Sequence, residues 1–132
     1  MRSSNTARLQ LSVDLKSTNA PAFALSMFSS SAECVSLVYG IANKTLTLDT
    51  TNVGYGQAGR WNAVVSTPVD NVLTLDIVID RSSVEIFAGD GTAMTATVFP
   101  RYQESTDIKL TSKGRMTVFN SITLTPLGST WI

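Results

Sequence analysis

Along most of the chain, apolar and polar residues alternate with a period of two, the pattern of strands that bury one face. Nine such runs are expected as strands: Ala7–Val13, Ala22–Phe28, Cys34–Ile41, Thr45–Asp49, Leu73–Asp80, Val84–Ala88, Thr92–Phe99, Asp107–Ser112 and Met116–Leu124. β-branched residues, Thr above all, are abundant in them. No window of about 11 residues or more carries a helical period. Turn residues fall between the runs: Asn43-Lys44, Gly89-Asp90-Gly91 and Lys113-Gly114 are each read as a short hairpin turn. The longest irregular stretch, Thr50–Asp70, holds three of the glycines, Tyr55, Trp61 and Pro68 and is read as one long loop. Many short strands in a chain of 132 residues point to an all-β fold, a two-sheet antiparallel β-sandwich of jelly-roll-like form. A closed barrel is the alternative.

Composition narrows the function more than the fold. Ten Lys+Arg balance ten Asp+Glu, and no basic run is present, so nucleic acid is not an expected partner. The chain has no histidine, which removes a histidine-assisted nucleophile and a histidine metal site. A single cysteine, Cys34, removes an internal disulfide and a structural zinc cluster, and it is expected to be a buried free thiol. No metal or other cofactor is expected. No apolar run approaches the ~20 residues needed to cross a bilayer, and the first nine residues hold no signal-peptide core. The chain is therefore read as intracellular or as lacking an upstream segment. Met27, Met94 and Met116 read as core fillers, and Trp131 as a pin for the last strand and tail.

Most of the chemistry sits in Leu73–Pro100. Leu73, Leu75, Ile77 and Ile79 share one face with Val84, Ile86 and Ala88, leaving Asp76, Asp80, Glu85 and Phe87 on the other. Two registers are open at the turn Asp80-Arg81-Ser82-Ser83. If Ser82-Ser83 is central, Asp80 faces Glu85; if Arg81-Ser82 is central, Glu85 faces Val78 and lies diagonal to Asp80. Either way two carboxylates approach on one face, which is unfavourable without a cation. Arg81 is the nearest candidate and Arg101 the second. Such a cluster suits the vicinal hydroxyls of a sugar, since carboxylates accept from hydroxyls and guanidinium donates to the same oxygens. A solvated ion-pair cluster, or one docked on a neighbouring domain, is the competing reading.

The run Asp80-Arg81-Ser82-Ser83-Val84-Glu85-Ile86-Phe87, followed by Gly89-Asp90-Gly91 and Val98-Phe99-Pro100, resembles the C-terminal β-sandwich module of glycoside hydrolase family 32, which holds invertases, inulinases, levanases and fructosyltransferases. Val38-Tyr39-Gly40 with Leu46-Thr47-Leu48-Asp49, and Val118–Leu124 with Trp131, resemble further parts of it more weakly. Family members often carry D-R-T-x-S-G where this chain has Asp49-Thr50-Thr51-Asn52-Val53-Gly54, so that arginine has no counterpart here.

The resemblance implies one sandwich module over residues 1–132, without the family's catalytic propeller, and a chain that is not itself an enzyme. The N-D-P and R-D-P motifs of the propeller are missing, and Glu33-Cys34 only mimics the E-C motif of its acid/base. Asp80 and Glu85 could match the ~5 Å spacing of a retaining glycosidase, but an adjacent arginine opposes the protonated acid that reaction needs.

Two roles follow. As a fructan-binding module, similar to levan-binding modules, the chain would hold terminal fructose with Asp80, Arg81 and Glu85, and Trp61, Tyr55, Tyr39 or Tyr102 would stack on the ring, core or edge packing being the plainer role for each aromatic. As an assembly domain, it would pack on the propeller and support a homodimer. A mean hydropathy of +0.14 and 15% charged residues fit that second role. Asn43-Lys44-Thr45 is an N-glycosylation sequon, which with the resemblance implies a secreted parent enzyme. Gly89-Asp90-Gly91 offers too few oxygens for calcium and is read as a turn.

Overall fold

The strands close into two five-stranded antiparallel sheets because each inward row is too apolar to face water. The computed structural model describes residues 7–29, 33–51, 59–65, 70–80, 83–97 and 107–126. In chain order the strands are β1 (Ala7–Asp14), β2 (Ala22–Ser29), β3 (Val35–Gly40), β4 (Thr45–Asp49), β5 (Arg60–Val64), β6 (Val72–Asp80), β7 (Ser83–Ala88), β8 (Ala93–Thr97), β9 (Asp107–Lys113) and β10 (Phe119–Pro126). One sheet runs β10-β1-β6-β7-β8 and the other β5-β4-β3-β2-β9. This is the expected β-sandwich.

Period-two alternation decides which residues enter the core. β1 alternates buried Leu9, Leu11 and Val13 with outward Arg8, Gln10 and Ser12, and β6 does the same with Leu73, Leu75, Ile77 and Ile79. Phe23, Leu25, Met27, Val35, Leu37, Leu46 and Leu48 supply the facing half of the core. Phe23 ties the layers, with its ring 5.7 Å from Tyr39 and, edge-on, 5.6 Å from Phe119. Such aromatic pairs add to the stabilisation from area burial.

Several expectations are corrected. The stretch Thr50–Asp70 is not one loop: β5 pairs with β4 through Asp49↔Arg60, Leu48↔Trp61 and Leu46↔Ala63 and forms an edge of its sheet. Lys113-Gly114 is not a hairpin turn, because β9 and β10 lie in different sheets and the segment after β9 crosses between them. Gly114 takes φ 95°, a value that suits a residue without a side chain. Met116 is 57% exposed rather than a core filler, whereas Met27 and Met94 are buried. Cys34 is half-buried. Trp131 lies outside the described residues.

The two other turns hold. Asn43-Lys44 falls in the four-residue connection between Gly40 and Thr45, with Lys44 at φ 54°, and Asn43 is exposed. At the β7–β8 turn Gly91 takes φ 95°, its N–H donates to the Ala88 carbonyl (3.0 Å), and Asp90 Oδ1 accepts from Thr92 N–H at 2.9 Å. The Asp90 carboxylate thus braces the turn.

Candidate functional site

The β6–β7 pairing chooses between the two registers. Val78 faces Glu85 and Asp80 faces Ser83, so Asp80 and Glu85 are diagonal, the second of the two registers. Both side chains are exposed on the outer side of the β10-β1-β6-β7-β8 sheet. Arg81, Arg101, Tyr55 and Tyr102 lie outside the described residues.

The remaining two aromatic candidates turn away from this face. Tyr39, in β3, is 1% exposed inside the core, with no hydrogen-bond partner for its hydroxyl among the described residues. Burial, together with the charge of Asp90, pushes the Tyr39 hydroxyl above its usual pKa. Trp61 pairs with the buried Leu48 and packs against the core from β5. Neither ring is placed beside Asp80 and Glu85, so neither stacks on a ligand held there. The alternation of β3 already favoured the inward position for Tyr39; Trp61 was misplaced because its strand went unseen.

Cross-strand registers arrange the outer face in rows. Asp80, Ser83 and Thr97 form the first row. Arg8, Val78, Glu85 and Thr95 form the second. Gln10, Asp76, Phe87 and Ala93 form the third, extended by Thr123. Ser12, Thr74 and Ser121 form the fourth. Successive rows are about 7 Å apart, two residues of an antiparallel strand.

Arg8 and Asp76 join the second and third rows by a two-pronged ion pair, Nε to Oδ1 at 2.9 Å and Nη2 to Oδ2 at 2.6 Å. The hydrogen bond from Arg8 holds the Asp76 carboxyl below its usual pKa and raises that of Arg8 in turn. Arg8, Gln10 and Asp76 carry no recognisable motif. Their signal in the sequence is only an alternating position in β1 and β6, with Arg8 and Asp76 68 residues apart. A second pair, Arg60 Nη2 to Asp49 Oδ2 at 3.0 Å, lies on the opposite sheet. It gives Asp49 an arginine from across the strand although position 50 is threonine. The Asp49 carboxyl is held low first by the Thr51 hydroxyl and then by Arg60.

Among the described residues no group of three or more metal-ligating side chains converges. No helix of the described residues is long and apolar enough to cross a membrane.

Comparison with known proteins agrees with this architecture. Residues 2–126 match the family described as glycosyl hydrolases family 32 C terminal. The chain is 31% identical over 134 residues to an extracellular exo-inulinase of Aspergillus awamori, covering 96% of this chain and 25% of that one. The crystal structure of an exo-inulinase from the same organism superposes with a TM-score of 0.79 at 27% identity, over 93% of this chain and 25% of that chain. A fructosyltransferase of A. japonicus shares the fold (TM-score 0.78, 18% identity, 96% of this chain and 23% of that one). So does a galectin of Caenorhabditis elegans (TM-score 0.66, 15% identity, 92% of this chain and 84% of that one). The chain spans about a quarter of the curated relative it matches. Register, sheet order and the match over residues 2–126 together place the chain in the family of glycoside hydrolase family 32 C-terminal domains.

Proposed function

We propose that the chain is a non-catalytic module of a secreted fructan-acting enzyme and that it binds terminal fructose on the outer face of the β10-β1-β6-β7-β8 sheet. The observation that carries this reading is the β6–β7 register, which sets Asp80 and Glu85 diagonally on an exposed face, with Arg81 next to Asp80 in the sequence. Carboxylate acceptors beside a guanidinium donor suit vicinal hydroxyls. The similarity to an extracellular exo-inulinase supports fructan as the sugar and secretion as the location, and the exposed Asn43 would accept a glycan there. Few ligand atoms would be buried, so affinity should be weak, on the order of 0.1–10 mM. Tethering to a catalytic domain would raise its effect.

Calorimetric titration with levan, inulin, sucrose and fructose tests the proposal. Saturable binding that Glu85→Gln abolishes, without loss of folding, is the expected result. Silence of the folded chain at tens of millimolar fructose overturns it.

A second reading, assembly on a catalytic propeller or as a homodimer, is favoured by a different observation. Ile122 and Leu124 in β10 are each 51% exposed although they pair with the buried Leu11 and Leu9. They leave apolar surface on an edge strand that a partner would cover.

A further inference from the structure

A concavity of about 380 Å³ opens on the third and fourth rows of the outer face, beyond Asp80 and Glu85. Its walls include Gln10, Ser12, Thr74, Asp76, Phe87 and Ser121. Phe87 stands 44% exposed, between Asp76 on one side and only the methyl of Ala93 on the other. Among the described residues it is the one exposed aromatic ring. Gln10, Ser12, Thr74 and Ser121 are polar and uncharged, and Leu11, Leu75 and Ala88 line the concavity with them. Asp76 is held in place by both nitrogens of the Arg8 fork. A carboxylate has about four acceptor sites, so two remain, and Arg8 retains further N–H donors. The floor stays open next to Phe87 because position 89 is glycine: a Cβ there would overlap Thr74 Oγ1. Gly89 N–H donates to the Thr74 carbonyl at 3.1 Å, which fixes that close approach.

One flat apolar ring among hydroxyls, an amide and an ion-paired carboxylate is the complement of a neutral sugar ring, which has an apolar C–H face and a rim of hydroxyls. From these observations we propose that this groove is a second saccharide subsite, with Phe87 as its platform and Asp76 and Gln10 as its hydroxyl partners. The proposal rests on the fructan-binding reading and extends it. Glu85 and Phe87 are two residues apart on one face, about 7 Å, and Asp80 and Asp76 are four apart, about 13 Å. A single fructose held by Asp80 and Glu85 does not reach the groove; a chain of two or three units does. The face therefore binds the end of a chain more tightly than the free monosaccharide.

The test compares fructose with the trisaccharide 1-kestose, titrated against the full chain, Phe87→Ala and Glu85→Gln, by calorimetry and by amide chemical shifts. The expected result is tighter binding of the trisaccharide by about 3–10-fold, the range of one aromatic contact. Phe87→Ala should remove that gain and leave fructose binding unchanged, while Glu85→Gln removes both. Trisaccharide-specific shifts at Gln10, Asp76 and Phe87 of the unmodified chain give the same answer without a variant. A gain that survives Phe87→Ala, equal affinity for both sugars, or shifts that miss these residues would each overturn the groove while leaving the Asp80–Glu85 reading standing. Absence of binding by either sugar overturns both.

Discussion

Leu73, Leu75, Ile77 and Ile79 in β6 are at most 3% exposed, whereas Ile122 and Leu124 in β10 are each 51% exposed. The two rows belong to one sheet, point to the same side of it and carry the same kind of side chain. Only position differs. β6 is the middle strand of its sheet and β10 the outermost, and no described strand covers Ile122 and Leu124. Alternation therefore selects the side of the sheet a residue faces, and sheet order decides whether that side is sealed. A half-open apolar row on an edge strand also carries unpaired backbone groups, which invite a partner.

Substitution puts the contrast in numbers. Ile77→Ala leaves a void in the sealed row and should cost about 2–5 kcal/mol in denaturant unfolding. Leu124→Ala removes a side chain that water already reaches and should cost about 1 kcal/mol or less. Equal costs would mean that the β10 row is covered in solution, and the contrast would then fail. The paired change Ile122→Asn with Leu124→Asn separates the alternatives: under the assembly reading, sedimentation should show a lower fraction of associated species with the melting temperature little changed. A chain that is monomeric before and after the change would remove the support this row gives to assembly.

The smallest effect belongs to the outward row of the same β6. The Asp76 carboxyl is held below its ordinary value of 3.8 by the hydrogen bond from Arg8. The folded state thus binds fewer protons than the unfolded one around that pH. The pair's contribution is present above 3.8 and fades as pH falls through the lower folded value. The pair is partly exposed, so salt should weaken it as well. A melting series of the chain and of Asp76→Asn should differ slightly at neutral pH and converge in acid. A difference that grows toward low pH would contradict the assignment.

Much of the fold was legible because alternation is a local property. Leu73–Asp80 and Val84–Ala88 each display it within one strand, and the short sequence between them leaves only two registers. β5 was missed for a local reason too: Arg60–Val64 holds one β-branched residue, and Val64 points outward at 68% exposure. The crossover after Lys113 was misread because a glycine turn looks alike whether the next strand joins the same sheet or the other. The candidate site was half legible. Asp80, Glu85, Asp76 and Phe87 share one hairpin, whereas Arg8 and Gln10 join them only through the β1–β6 pairing, which no short stretch of sequence announces.

That pairing also sets an order of events. β6, β7 and β8 follow one another and can zip as a meander, but β1 lies between β6 and β10, bonded to Leu75 through Leu11 on one side and to Ile122 on the other. A ribosome delivers β1 first and β10 last. β1 must therefore wait until β10 has been made before both its edges are satisfied, a long loop to close and a slow one. Until then β1 shows an open edge to whatever is nearby, and translation speed becomes part of how cleanly the molecule forms.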